Sequence, residues 1–295
     1  MGQATVSTAC LISSPLCRTR MASAELRVLR LPDAELHYSE KGEGQPVVLV
    51  HGTFGDYRLW EGLSRELSRN YRTITYSRRG AYPNAPPAER WSSIALHSSD
   101  LSALVSEIQA ECVHLVGESY GASVALHFAL NNPTKTRSLS IDEPPVLSLL
   151  CGNEADLRQL TFFENEALRP ALEYFTEDKP VDAARVIIDT LEGAPGLYDS
   201  LPETVKSVIG ANSPSTFEDL KGGFAGISEA DLGQMKTPTL LMKSDHGPSP
   251  LKLVVDRLHE RIPGSVLKEI KGTSHGTIIE SNAYLSAVLD FIARN

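Results

Sequence analysis

The sequence predicts an α/β fold: a mostly parallel sheet with helices on both faces, interrupted late in the chain by a helical cap. Three observations carry this. Strand-like apolar runs alternate with stretches of helical spacing, the pattern that parallel β-α-β crossovers produce. Residues 47–50 are a continuous apolar run, as expected of a strand buried on both faces, and residues 113–116 read as another buried strand. From about residue 146 to residue 235 the strand-like runs stop and apolar residues fall only at helical steps.

Taken in order, residues 26–31 and 34–39 alternate around Pro32-Asp33 and read as an opening hairpin. The strand at 47–50 follows, then helical spacing over 59–67 and a strand at 71–76. Pro83, Pro86 and Pro87 mark a loop, because proline removes a donor and fixes φ. Leu101, Leu104, Val105 and Ile108 predict an amphipathic helix, followed by the strand at 113–116. Residues 122–130 are helical and stop before Pro133, and a strand at 138–142 is closed by Pro144-Pro145. After the insertion, strand-helix alternation resumes at 239–242, 251–262, 266–270 and 284–292. The expected organisation is a core of residues 25–145 and 236–295 with a helical cap of residues 146–235.

The chain has 295 residues, 41% of them hydrophobic, enough to bury a full core. With 37 Asp and Glu against 28 Lys and Arg, its formal charge is −9, and no basic cluster exceeds Arg78-Arg79. That argues against nucleic-acid binding, which needs grouped cations to neutralise phosphates. No apolar run reaches the roughly 18 residues of a membrane span. The cysteines (Cys10, Cys17, Cys112, Cys151) match neither a zinc nor a disulfide spacing. They suggest a reducing compartment, with Cys112 read as a small buried hydrophobe. Residues 1–24 lack Asp and Glu, are rich in Ser and Thr, and carry Arg18 and Arg20. This stretch reads as a disordered or cleaved leader: an organellar transit peptide, or an extension ahead of a start at Met21. The expectation is an intracellular protein, cytoplasmic first, with organellar import as the alternative.

The strongest local signal is Gly117-Glu118-Ser119-Tyr120-Gly121, between a buried strand and a helix. A sharp strand-to-helix turn lifts the Ser119 hydroxyl off the sheet, and flanking glycines let other backbone pass close by. The first turn of the following helix leaves N–H groups unpaired, and that of Tyr120 can face a developing oxyanion. A second turn, His51-Gly52-Thr53-Phe54-Gly55, leaves the earlier buried strand and offers the N–H of Thr53, or secondarily of Phe54, as the other oxyanion donor. His51 itself reads as a turn-stabilising residue. The base candidate is His275 in Gly272-Thr273-Ser274-His275-Gly276, directly after a strand and late in the chain. A turn there lets an imidazole reach across to the serine.

These three motifs resemble the α/β-hydrolase superfamily, and the likeness runs from about Leu26 to the C-terminus. Asp56-Tyr57-Arg58-Leu59-Trp60 looks like that family's link into its first helix. The resemblance implies an eight-stranded, mostly parallel sheet with a lid inserted after strand six. It places the triad acid after strand seven, in a Gly-x-x-Asp turn. The sequence departs from this pattern: if Lys243 takes the glycine slot, the acid slot falls on His246, and Asp245 comes one residue early. Glu143, at the exit of strand six, is the second position that some haloalkane dehalogenases of the superfamily use. Glu143 is favoured and Asp245 is the alternative acid, since orienting Nδ1–H tolerates either origin.

The expected function is cleavage of a carboxylic ester or lactone by a serine hydrolase. Ser119 attacks, His275 takes its proton, and the Thr53 and Tyr120 N–H groups hold the oxyanion of a small-molecule substrate. The reaction needs no metal or organic cofactor, and oligomeric state is not legible. Serine at the elbow argues against dehalogenase and epoxide hydrolase chemistry, which use a carboxylate nucleophile. The cap offers Leu160, Phe162, Phe163, Leu168, Tyr174 and Phe175 either as pocket lining or as helix packing. Two other readings stay open: an inert ligand-binding protein, and a cofactor-free haloperoxidase or lyase on the same scaffold.

Overall fold

The computed structural model describes residues 25–86, 92–248 and 250–295. The leader with Cys10, Cys17 and Met21, and Pro87 of the proline loop, lie outside the described residues. Eight strands form one sheet: β1 (Arg27–Arg30), β2 (Glu35–Lys41), β3 (Pro46–Val50), β4 (Arg72–Tyr76), β5 (Val113–Glu118), β6 (Thr136–Asp142), β7 (Thr239–Ser244) and β8 (Val266–Ile270). Their spatial order is β1-β2-β4-β3-β5-β6-β7-β8. β2 pairs antiparallel with both β1 and β4, and every later pairing is parallel. The sheet is therefore mostly parallel, and the parallel strands deliver their C-terminal ends to a single edge.

The helices of the core are α1 (Glu61–Leu67), α2 (Ile94–Glu107) and α3 (Ser119–Asn131) in the first part of the chain. Between β6 and β7 come α4 (Glu154–Phe163), α5 (Arg169–Thr176), α6 (Pro180–Glu192), α7 (Leu197–Ser200), α8 (Glu203–Gly222) and α9 (Glu229–Gly233). The C-terminal part adds α10 (Leu251–Arg261) and α11 (Asn282–Ile292). The segment between β6 and β7 contains no strand among the described residues, and no described helix is long and apolar enough to cross a membrane.

β3 shows how the sheet divides the core. Side chains alternate along a strand, so Val48 and Val50 pack with α2, α3 and α10, through residues such as Leu104, Phe128 and Val254. Val47 and Leu49 point the other way, against Leu63 and Leu67 of α1 and Tyr284 and Val288 of α11. Both faces are covered, which is why these strands read as apolar runs rather than alternations. The helices between β6 and β7 bury apolar clusters of their own, one around Ala171, Phe175, Ala183 and Leu220 and another around Ala184, Tyr198 and Ile209. Phe54, from the turn after β3, packs against both clusters.

Two expectations are corrected. Cys112 is partly exposed rather than buried, because it precedes β5 where the chain is still emerging from a turn. Phe162 is 54% exposed, whereas its neighbour Phe163 is buried. Adjacent helical positions lie about 100° apart, so only one of the two can face the core.

Leu115 lies at the centre of β5 and is fully buried. Leu115→Ala should destabilise the fold by about 2–5 kcal/mol through lost transfer energy and a residual cavity. Urea unfolding checks this, and a loss under about 1 kcal/mol would show that the site collapses around the smaller side chain.

Candidate active site

The candidate site sits at the C-terminal ends of β3, β5, β6 and β8. β5 leads directly into α3, and the residue at the junction, Ser119, holds φ at 50°. This left-handed conformation disfavours a non-glycine residue, and it is the sharp bend that the motif requires. The glycines explain how the bend fits. A Cβ added at Gly121 would stand 2.2 Å from the Val50 carbonyl oxygen, and one at Gly52 would stand 2.9 Å from Ser119 Cβ. The turn after β3 and the bend after β5 thus press against each other through positions that lack side chains.

His275 lies in the loop after β8 and is nearly buried. Its Nδ1 is 2.6 Å from Glu143 Oε2. Glu143 follows β6, is fully buried, and takes a left-handed backbone (φ 41°) that turns its side chain toward the imidazole. The other carboxylate oxygen, Oε1, accepts from the N–H (2.8 Å) and hydroxyl (2.6 Å) of Ser244 at the end of β7. Burial alone would raise the pKa of Glu143, but the hydrogen bond and charge of His275, with both Ser244 donors, hold it below the usual glutamate value.

Asp245, the alternative acid, is engaged elsewhere: its Oδ1 accepts from the Thr273 N–H at 3.1 Å. His246 N–H donates to the Thr273 carbonyl at 2.9 Å. The exit of β7 therefore braces the loop that carries His275, while Glu143 reaches the imidazole. Ser244 was not singled out from the sequence. Its only signal is that it stands where strand seven ends, beside the slot in which the family pattern places an acid.

On the Nε2 side of the imidazole, Glu118 Oε1 lies 3.9 Å away. Glu118 Oε2 accepts from the Gly52 N–H at 2.8 Å. Gly52 thus stands beside both Ser119 Cβ and the Glu118 carboxylate, and Glu118 stands beside the imidazole. Burial raises the pKa of Glu118, against the opposing charge of His275 and the Gly52 N–H. Glu192, at the end of α6, accepts from the Gly276 N–H at 2.6 Å and adds a further carboxylate near the ring. Burial pulls the His275 pKa down, but the Glu143 hydrogen bond and charge, with Glu118 and Glu192, push it up to about 9.

The oxyanion candidates separate cleanly. Phe54 N–H donates to Thr216 Oγ1 of α8 at 2.8 Å and is occupied. Thr53 N–H meets no acceptor among the described residues, and Tyr120 lies in the first turn of α3, where N–H groups lack helical partners. His51 is buried and serves the turn. Its Nδ1 contacts the Gly52 carbonyl (2.8 Å), and its Nε2 accepts from Arg78 N–H (2.9 Å). Burial and the charge of Arg78 push its pKa down to about 3.

A cavity of about 680 Å³ opens onto Thr53, Glu118 and His275. Its apolar wall comes from Ile187 and Leu191 of α6 and Val205, Val208 and Ile209 of α8 and its flank. None of Leu160, Phe162, Phe163, Leu168, Tyr174 and Phe175 lines it. Leu160 and Phe175 pack into apolar clusters instead. The lining expectation placed on α4 and α5 is therefore corrected to α6–α8.

The geometry describes a hydrolase elbow, and the sequence comparison agrees. A model of the Alpha/beta hydrolase family matches residues 47–288, and the chain belongs to that family. An uncharacterised hydrolase of Bacillus subtilis is 32% identical over 127 residues, which cover 43% of this chain and 47% of that protein. A thermophilic esterase from Thermogutta terrifontis superposes with a TM-score of 0.73 at 20% identity, covering 92% of this chain and 99% of its own. The enol-lactonase of Burkholderia xenovorans superposes with a TM-score of 0.72 at 16% identity, covering 90% and 100%.

The charge arrangement around the imidazole is open to direct measurement. In an NMR pH titration of histidine-labelled protein, the His275 ring should show a midpoint near 9. Glu118→Gln removes one neighbouring negative charge and should move that midpoint to lower pH. An unchanged midpoint would mean that Glu118 carries no charge while the ring titrates.

Proposed function

We propose that this chain hydrolyses a carboxylic ester or lactone through an acyl-enzyme on Ser119. The observation that carries the reading is the 2.6 Å contact between buried Glu143 and His275 Nδ1. A carboxylate at Nδ1 fixes the tautomer whose Nε2 is the basic atom, and that atom lies 3.9 Å from Glu118 Oε1, on the residue that precedes Ser119. Neutral His275 takes the hydroxyl proton as Ser119 Oγ bonds to the substrate carbonyl carbon. The carbonyl oxygen becomes an oxyanion between the Thr53 and Tyr120 N–H groups. The imidazolium then gives its proton to the departing alkoxide as the C–O bond breaks. Water, deprotonated by the same imidazole, adds to the acyl-enzyme, and collapse returns the Ser119 hydroxyl and a carboxylic acid.

The mostly apolar wall of the cavity favours substrates with an apolar acyl or alcohol portion. The fold shared with an esterase and an enol-lactonase supports the same class. In this reading the insertion acts as the cap over the site.

Ser119→Ala should abolish nitrophenyl ester hydrolysis and fluorophosphonate labelling while leaving the circular dichroism spectrum unchanged. Glu143→Gln should lower kcat by about 10³- to 10⁴-fold, as loss of the orienting acid does in serine triads. Asp245→Asn should have a much milder effect, since Asp245 braces a loop. Steady-state kinetics on the three variants decides the matter; comparable losses at Glu143 and Asp245 would reject the assignment of the acid.

A further inference from the structure

α8 carries three buried polar residues, Asn212, Thr216 and Asp219, at steps of four and three. That spacing places them on one face of the helix. Each meets a different part of the core around the turn at residues 51–56. Asn212 accepts from the Tyr82 N–H and donates to Asp56 Oδ2, both at 2.8 Å. Thr216 Oγ1 accepts the Phe54 N–H. Asp219 Oδ2 accepts from Arg78 Nη2 at 2.8 Å, and its Oδ1 lies 2.8 Å from His97 Nε2 and 2.9 Å from the Ser92 hydroxyl.

Arg78 extends this network to the oxyanion turn. Its Nε donates to the His51 carbonyl (2.9 Å) and its Nη2 to the Gly52 carbonyl (3.0 Å). Its guanidinium also lies 4.9 Å from the centroid of the Tyr120 ring. The carbonyls of His51 and Gly52, the N–H of Phe54 and the ring of Tyr120, the residue carrying the second oxyanion donor, are thus all contacted by this network. Phe54 has a left-handed backbone (φ 58°), so its turn needs outside support to hold its shape. The network is shut away from water, where each hydrogen bond is strongest and each loss costs most.

We propose that Asn212, Thr216 and Asp219, with Arg78, are positioning residues that aim the Thr53 N–H at the oxyanion. The helical insertion then helps to set the geometry of the catalytic turn as well as walling the cavity. This rests on the serine hydrolase reading above. In that reading, a donor shifted by a fraction of an ångström loses transition-state stabilisation while ground-state binding is spared.

Thr216→Val keeps the side-chain shape and removes the acceptor for Phe54 N–H, and Thr216→Ser restores it. For a nitrophenyl ester, Thr216→Val should lower kcat on the order of 10- to 100-fold with little change in KM. Thr216→Ser should return most of the activity. A trifluoromethyl ketone, which forms a tetrahedral adduct on the serine, should bind Thr216→Val more weakly by the same factor as kcat/KM falls. Asp219→Asn should act in the same direction, with residual activity referred to the folded fraction from thermal unfolding. If the wild-type protein binds the ketone at Ser119 and Thr216→Val binds it equally well, or loses activity only in proportion to unfolding, this inference falls alone. A wild-type protein that binds no ketone would bring down the hydrolase reading, and the inference with it.

Discussion

The site depends on one buried contact, the hydrogen bond between Glu143 and His275. Removing a carboxylate from water costs several kcal/mol unless its lone pairs are met. Glu143 meets that cost with three donors: the imidazole on one oxygen, and the N–H and hydroxyl of Ser244 on the other. The donors come from β7 and the loop after β8, and the acceptor from the end of β6. The contact can therefore form only when three consecutive strands of the sheet are in register. The register that pairs Asp142 with Met242, and Ser244 with Ile270, is what brings these ends together. Sheet order and candidate site are two aspects of the same alignment.

Behind that contact lies a second buried acid. Asp142 precedes Glu143 and accepts from the Tyr284 hydroxyl at 2.8 Å. Burial and the neighbouring Glu118 raise its pKa well above the usual aspartate value. Consecutive residues leaving a strand point to opposite sides, so one carboxyl meets the imidazole and the other the α11 side of the sheet. The difference in partners separates their charge. Glu143, with three donors including a cation, is held as a carboxylate, whereas Asp142, with one phenol, favours its protonated form.

The sheet was legible in the sequence because burial on two faces leaves a strong compositional trace. β3 is apolar throughout and β5 carries Val113, Leu115 and Val116, and both lead into the glycine-bearing turns of the oxyanion loop and the elbow. Ser119, Thr53 and Tyr120 stand out as candidates from those turns, since a bend that lifts a hydroxyl needs glycines at fixed offsets, and His275 stands out from its own glycine-flanked turn after β8. For the candidate acid the sequence offers two residues, with Glu143 favoured over Asp245. Choosing between Glu143 and Asp245 requires knowing that the chain turns left-handed at Glu143 and that Asp245 faces Thr273. No local pattern encodes either fact. The inserted helices misled for a related reason. The apolar stripes of α4 and α5 were visible, but a stripe records that a helix face is buried and not against what. The cavity wall came from α6–α8, whose apolar residues look no different in sequence. The stripe of Asn212, Thr216 and Asp219 did carry a signal, polar residues recurring at helical steps, but such a pattern ordinarily marks a solvated face.

Electrostatics at the imidazole set a further constraint. Three glutamates, from the end of β5, the exit of β6 and the end of α6, surround His275 and favour its charged form, while a general base must be neutral when the nucleophile is deprotonated. One carboxylate is enough to orient the ring, so Glu118 and Glu192 must be explained otherwise. Each has a backbone partner: Glu118 takes the Gly52 N–H, and Glu192 takes the Gly276 N–H. Gly52 belongs to the turn after β3 and Gly276 to the loop that carries His275. Both carboxylates thus fasten a glycine-bearing loop whose own side chains cannot hold it. The structural gain is two anchored loops, and the accompanying effect is a more basic imidazole. An amide at either position could keep the backbone contact without the charge, so the carboxylates make the imidazole's charge, and not the loop anchoring alone, a property of this site.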